Sequence, residues 1–295
     1  MQKDNYITIS GKSVSSIGLL EHINPSVKSI HIKSLSVDPR EIFSGPRIAI
    51  VGSRKVSSYG SAVTKKLSYD LAKAGLTIVS GLALGVDSLS HRGAVEAGGR
   101  TIAVLPCSIS SIYPRSHTSL ARQIISSNPE SALISEYDGN SSPMKHHFLA
   151  RNRIIAGISD ALLITEAAIR SGSLSTANHA LELGIPVMAI PGPIDSPMSQ
   201  GTNNLIKAGA HLVTNVGDIL SIMGLDATEN IDRSEYEPAD DLEKQVIQLI
   251  KENHKDTNQI IKHSTLGPEQ VQQTLTMLEI KGVVRSNDYF TWHLL

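Results

Sequence analysis

The sequence predicts an α/β fold: a Rossmann-like, doubly wound and mostly parallel sheet, followed by a small C-terminal winged-helix domain. Three observations predict it. Between residues 47 and 214, short apolar runs alternate with helical patterns at the spacing of βα units. Most of those runs are continuously apolar rather than alternating, as strands covered on both faces require. After residue 240 the pattern changes to three helical segments followed by two short strand-like runs.

In chain order, residues 1–45 form a short N-terminal extension. Its stretch "KSIHIKSLSVDPREIFSG" is expected to add a short strand and a helix leading into the sheet, with no chemistry of its own. Residues 46–220 carry the strand candidates "RIAIV", "LTIVS", "RTIAVL", "SALISEY", "DALLIT", "IPVMAI" and "HLVTN". Helices are expected between them from the i, i+4 spacing of Val63, Leu67 and Leu71, of Leu120 and Ile124, and from Leu174 with Ala177, Ala180 and Leu181. Gly75, Gly98 and Gly184 fall where helix C-caps belong. Residues 221–239, "SIMGLDATENIDRSEYEPA", are acidic and lack apolar periodicity, which predicts a linker. Residues 240–295 predict the winged helix. Leu242, Val246, Leu249 and Ile250 share one helical face, Thr257 is the expected N-cap of a second helix, and Pro268 and Gly282 bracket a third. The closing "VVRSNDYFTWHL" predicts two strands around a Ser-Asn-Asp turn.

Composition narrows the function classes. Forty per cent hydrophobic content supports a buried core, and the single cysteine, Cys107, excludes an intramolecular disulfide framework and suits a reducing cytoplasm. No apolar run has the length of a membrane span and the N-terminus has no apolar signal core, so the expected location is cytoplasmic, with no membrane partner. The net charge of −1 hides a division: residues 46–220 are net +4, residues 221–239 net −4 and residues 240–295 net −2. A polyanion partner therefore belongs first to the middle unit. The expected recognition helix of the winged helix, 268–281, offers only Lys281 against Glu269 and Glu279, which argues for protein contact or stability there rather than duplex reading.

In an open parallel sheet a ligand sits beyond the C-terminal ends of the strands. Those ends carry Gly52-Ser53-Arg54-Lys55, then "SGLALGVD" (80–87), "TEAAIRSGSLST" (165–176) and "PGPIDSPMSQGTN" (191–203). Serines and glycines feeding helix N-termini make an anion cradle. The first loop lacks the G-x-G-x-x-G spacing of a dinucleotide site: after Gly52 the next glycine is Gly60, and two cations stand where the pyrophosphate would sit. Farther on, "KHHFLARNRIIAGIS" places Phe148 among Lys145, Arg151 and Arg153 on what reads as a loop before a helix. Cations tracking a backbone beside a ring that stacks a base is the chemistry of single-stranded nucleic acid binding. The alternative is that Phe148 plugs the core while the arginines cap carbonyls or pair with Glu136 and Asp160. Asp87 and His91, four apart on a helix, suggest a base and its orienter, but Asp87 also opens that helix, where a carboxylate serves the N–H groups. His146-His147 lack further ligands at metal spacing, so no metal or cofactor is expected.

The motifs "VGSRKVSSYG", "SGLALGVDSLSH", Tyr113-Pro114, "LISE", "FLARNRIIAGIS", "TEAAIRSGSLSTANHA" and "PGPIDSPMSQGTNNLIKAGA" resemble, in order and spacing, the DNA-processing protein A (DprA/Smf) family over residues 35–215. The resemblance implies a Rossmann-like core that binds single-stranded DNA, dimerises, and loads a RecA-type recombinase in natural transformation, without being an enzyme. It implies Arg54, Lys145 and Phe148 as DNA contacts, with Arg151 and Arg153 lining or bracing the pocket. The nucleic-acid-binding set expected is Gly52, Ser53, Arg54, Lys145, Phe148, Arg151, Asn152, Arg153, Ser171, Gly172 and Ser173. Departures from the family pattern are Ser108 in "LPCSIS", the run "ITEA", and an N-terminal helical domain missing or shortened to the first 45 residues. The rival classes are a nucleotide N-glycosidic hydrolase and a winged-helix regulator. Related hydrolases place a glutamate three residues after a loop threonine, whereas His179 holds that position after Thr176; Glu166 is an acid that could in principle substitute.

Overall fold

The computed structural model describes residues 6–36, 38–139, 143–225, 240–252, 254, 256–281, 283–286 and 291–294. It divides into two compact units, Met1–Asp232 and Arg233–Leu295.

The first unit contains β1 (Ile7–Ser10), α1 (Lys12–Ser15), β2 (Ser29–Ser34), α2 (Pro39–Ile42), β3 (Arg47–Val51), α3 (Ser58–Lys73), β4 (Thr77–Ser80), α4 (Val86–Glu96) and β5 (Thr101–Leu105). It continues through α5 (Thr118–Ser127), β6 (Ala132–Ser135), α6 (Lys145–Gly157), β7 (Ala161–Ile164), α7 (Ser173–Glu182), β8 (Val187–Ala189), α8 (Gln200–Lys207), β9 (His211–Leu212) and α9 (Val216–Ile222). The strands form one nine-stranded sheet in the order β1-β2-β6-β5-β4-β3-β7-β8-β9. From β6 to β9 every pairing is parallel, and only β1–β2 and β2–β6 are antiparallel. The chain winds outward from β3 in one direction through β4, β5 and β6, then returns to lay β7 on the other side of β3. The reversal between β3 and β7 is the topological switch point, where the crossovers part and leave a crevice at the strand ends.

Successive residues of β3 face opposite layers. Ala49 and Val51 pack with Ile154, Ile155 and Ile158 around α6 and with Ala177 and Ala180 of α7. Ile48 and Ile50 pack with Leu67 and Leu71 of α3, Ala94 of α4 and Ile219 of α9. That two-sided burial is why the strands read as unbroken apolar runs. Gly75, Gly98 and Gly184 end α3, α4 and α7 at φ 89°, 68° and 69°, the left-handed turn their side-chain-free backbone permits.

Several local expectations change. Residues 1–45 give two strands rather than one, pairing antiparallel with each other and, through β2, with β6. Ser221 and Ile222 close α9, and Met223 and Leu225 pack against the second apolar layer, so the first residues assigned to the linker belong to the domain; the rest of that linker, 226–239, lies outside the described residues. The stretch from Lys145 is not a loop: it is the first turn of α6. No Ser, Thr, Asp or Asn marks that helix start, and the His147 ring nitrogen instead accepts the Met144 N–H at 3.3 Å.

The second unit contains α10 (Asp241–Lys251), α11 (Thr257–His263), α12 (Pro268–Ile280), β10 (Val284–Ser286) and β11 (Trp292–Leu294), with β10 and β11 antiparallel. Val246, Leu249, Ile250, Ile260, Val271, Leu275 and Trp292 form its core. Asp256 rather than Thr257 caps α11, its carboxylate accepting the Asn258 N–H at 2.8 Å. The longer negative side chain one position earlier reaches the free N–H groups that Thr257, already inside the helix, cannot. Gly282 and the hairpin turn at 287–288 lie outside the described residues.

Candidate nucleic-acid interface

The loop after β3 turns without a second glycine because its neighbours hold it. The Ser53 N–H donates to the Glu166 carbonyl (2.7 Å), the Ser53 hydroxyl donates to the Lys55 carbonyl (2.7 Å) and accepts the Lys55 N–H (3.1 Å), and the Ser53 carbonyl accepts the Val86 N–H (3.1 Å). Gly52 is needed for close approach: a Cβ there would stand 2.6 Å from the Glu166 carbonyl oxygen and 2.7 Å from Val86. Gly60 is needed for a different reason, since a Cβ would meet the Glu166 carboxylate at 2.5 Å.

That carboxylate is fully engaged. It is 2 % exposed and accepts the Ser57 N–H (2.8 Å) and the Ser57 hydroxyl (2.6 Å), fixing the start of α3 while Ser57 in turn caps the Gly60 N–H (3.0 Å). Glu166 therefore points into the loop's scaffold and not into the crevice; the carboxylate that lines the crevice is that of Asp87. His179 pairs with Glu182 at 3.4 Å on α7 and does not replace Glu166.

At the switch point lies a cleft of about 730 Å³. Gly52, Ser53, Arg54 and Lys55 form one wall, the first turns of α6 a second, and Arg170, Ser171, Gly172 and Ser173 before α7 a third. On α6 the lining residues Lys145, Phe148, Leu149, Asn152 and Ile155 recur at the spacing of one helical face. Phe148 is half-buried and belongs to the cleft wall rather than to the buried core clusters. The Arg54 guanidinium stands 5.1 Å from its ring centroid, and Tyr113 meets its edge at 5.5 Å and 73°. Arg54, Lys55, Lys145 and Arg170 are exposed, and among the described residues none of the four makes an ion pair.

Arg151 reaches the cleft but is 4 % exposed. Its Nη1 donates to the carbonyls of Gly81 and Val104, both at 2.6 Å, tying the end of β5 to the loop after β4. Burial pushes its pKa down, opposed by the nearby Asp87 carboxylate. Asp87 accepts the Gly81 N–H at 3.1 Å, and burial pushes its own pKa up against the pull of Arg151. Asn152 donates to the Gly172 carbonyl at 3.2 Å, and the Ser171 and Ser173 hydroxyls meet at 2.7 Å, so the third wall is fixed to α6.

Ten of the eleven residues expected from the sequence line this cleft, and Arg153 does not. It is 3 % exposed and its Nη2 bonds both oxygens of Glu136 at 2.8 Å, so it braces α6 against the end of β6. The other pairing considered from the sequence, with Asp160, goes instead to Arg47 at 3.3 Å. Asp87 and His91 form no dyad. The His91 Nδ1 bonds the Thr101 hydroxyl at 2.7 Å, and burial lowers its pKa to about 3. His146 and His147 do not diverge as an extended loop would make them: on the helix their rings meet at 4.4 Å, and His147 stacks on Tyr137 at 4.2 Å. Among the described residues no three His, Cys, Asp or Glu side chains converge as a metal site. Tyr113, Lys55 and Arg170 were absent from the expected set; each lies in the segment that follows a strand (β5, β3 and β7), the signal that would have included them.

The family model of the DNA recombination-mediator protein A matches residues 39–224, more than half the chain and all three cleft walls. The chain belongs to this family. A DprA winged-helix model matches residues 232–288, which agrees with the second unit. Protein Smf of Escherichia coli is 45% identical over 174 residues, covering 59% of this chain and 46% of that protein. A DNA processing protein DprA of Mycobacterium tuberculosis, itself named as putative, is 34% identical over 252 residues, 84% of this chain and 64% of that one. The chain thus spans about half to two thirds of these curated relatives. Among solved structures, DNA processing protein A from Streptococcus pneumoniae aligns with TM-score 0.66 at 36% identity, covering 73% of this chain and 74% of that one. The homologue from Helicobacter pylori, described for its single-stranded DNA binding mode, aligns with TM-score 0.64 at 30% identity, covering 74% and 95%. Among the described residues of this family member, no helix is long and apolar enough to cross a membrane.

Proposed function

We propose that this chain binds single-stranded DNA in the switch-point cleft and hands it, as a homodimer, to a RecA-type recombinase during recombination and natural transformation, without catalysing a reaction itself. The observation that carries the reading is the Arg54–Phe148–Tyr113 cluster at the cleft wall, with Lys145 one helical turn away. A partly exposed ring flanked by cations free of ion pairs suits an unstacked base and its phosphates, because every base offers a π-face and every nucleotide a charge. A paired duplex keeps its bases inside the stack and offers this ring nothing. The single-stranded DNA binding described for the Helicobacter pylori relative supports the same reading. The inward-facing Glu166 weighs against a hydrolase, and family membership supports the recombination partner and the dimer.

Fluorescence anisotropy of labelled single-stranded and duplex oligonucleotides, titrated in salt against the full chain, tests it. Preference for the single strand, with binding weakened in Arg54→Ala and Lys145→Ala, is the expected result. Equal affinity for both forms, unaffected by those substitutions, would transfer DNA binding elsewhere in the chain.

A further inference from the structure

The cleft has a cation on a wall to which neither the sequence motifs nor the family resemblance assigns a charged contact. Arg170 projects from the segment between β7 and α7, is exposed, and lines the same cleft as Arg54, Lys145 and Phe148. Among the described residues no hydrogen bond or ion pair engages its side chain. The backbone that carries it is, by contrast, tied down on all sides. The Ser171 N–H bonds the Ala168 carbonyl at 3.0 Å, the Gly201 N–H bonds the Ala167 carbonyl at 2.7 Å, and the Asn152 side chain holds the Gly172 carbonyl at 3.2 Å. Buried arginines of the same domain spend their guanidinium groups on internal acceptors: Arg151 on carbonyls and Arg153 on Glu136. Arg170 keeps its five donors for something outside the fold.

The geometry points to Arg170 as a further phosphate contact, placed so that the strand is gripped from the β7–α7 wall as well as from the β3–α3 loop and α6. The inference rests on the reading of the cleft as a single-strand site and adds a subsite to it. With cations on three walls and an aromatic ring on one of them, the cleft suits an internal stretch of polynucleotide, with phosphates held on more than one side of the stacked base. A volume of about 730 Å³ is in the range of a multi-atom ligand rather than a lone anion.

The test is the salt dependence of binding of an unlabelled-end oligothymidylate to the full chain, measured for the parent and for Arg170→Ala, Arg170→Lys, Arg54→Ala and Arg122→Ala. Arg122 is an exposed cation on α5 that does not line the cleft. Each phosphate contact on a single strand contributes about 0.7 to the slope of log K against log salt. Arg170→Ala is expected to weaken binding and flatten the slope by about 0.7, as Arg54→Ala does. Arg170→Lys should restore the slope, and Arg122→Ala should leave it unchanged. A slope unaltered by Arg170→Ala while Arg54→Ala flattens it overturns the added subsite alone. A slope unaltered by both overturns the cleft reading on which it rests. Because Arg170 is exposed and unpartnered, its variants should melt with the parent; a variant that unfolds would show that the side chain is structural and also overturn the inference.

Discussion

Replacing Phe148 by alanine separates a stacking ring from a packing ring by magnitude. The ring makes two specific contacts, the Tyr113 edge at 5.5 Å and the Arg54 guanidinium at 5.1 Å. An aromatic pair contributes about 0.5–1.5 kcal/mol beyond its area and an exposed cation–π contact about 0.5–1 kcal/mol. These two contacts contribute about 1–2.5 kcal/mol on top of the area of a half-buried ring. The domain should therefore lose no more than about the low end of the roughly 3–5 kcal/mol typical of deleting a core phenylalanine. For a unit of this size that lowers the melting temperature by a few degrees, about 2–4 °C per kcal/mol. Binding should suffer more than folding. A base stacked on an aromatic ring is worth about 1–3 kcal/mol, or about 5- to 150-fold in dissociation constant. The salt slope should stay at the parent value, because no charge is removed. Anisotropy titrations at several salt concentrations, beside a thermal melt, measure all three quantities. Unchanged affinity would refute stacking. A collapse of the fold would make Phe148 a core residue after all, and a flattened slope would mean that the ring acts only by holding Arg54 in place.

Three further outcomes follow from the same geometry. Arg54→Ala and Lys145→Ala should each weaken single-strand binding across sequences and reduce the salt slope by about 0.7; equal slopes in parent and variants would remove those side chains from the phosphate path. His91, neutral and buried with a pKa of about 3, cannot take up the proton that the unfolded imidazole binds near 6.5. Its contribution to stability is thus complete above pH 6.5 and is lost as pH falls from 6.5 toward 3, by up to about 1.4 kcal/mol per pH unit. Urea unfolding at pH 7, 6 and 5 should show a shallower loss in His91→Asn than in the parent, and parallel profiles would contradict the assignment. Glu166→Gln leaves one of the two Ser57 donors without its acceptor, so it should cost about 1–3 kcal/mol and loosen the Arg54 loop. Weaker DNA binding with no change in nucleotide hydrolysis is expected. Base release by the parent that disappears in Glu166→Gln would instead establish the N-glycosidic hydrolase.

The helical phase of α6 shows where reading the chain reached its limit. With Lys145–Phe148 placed on a loop, nothing in the segment separated Arg151 from Arg153, both expected to line or brace the pocket. Starting the helix at Lys145 sets Lys145, Phe148, Asn152 and Ile155 on the cleft face and turns Arg153 about one residue's rotation away from Asn152. The helix start was illegible because its usual capping residues are absent and a histidine ring does that work. Likewise the missing glycines of the first loop were visible, but not their reason, which is a carboxylate and a carbonyl supplied by Glu166 from 109 and 113 residues farther on.

The sequence by itself determined the seven strands from β3 to β9, the glycine-ended helices and the loops that gather at the strand ends. These depend on local periodicity and backbone preference, which act over a few residues. The tertiary structure alone decided which charges are free. Arg151 and Arg153 carry the same formal charge in the sequence as Arg54 and Arg170. What separates them is burial and the arrival of a partner from far along the chain, such as the carbonyl of Gly81 on Arg151, 70 residues away. A cation that has met its partner inside the fold is scaffold, and one left at the cleft without a partner is available to a polyanion; only the folded arrangement distinguishes the two.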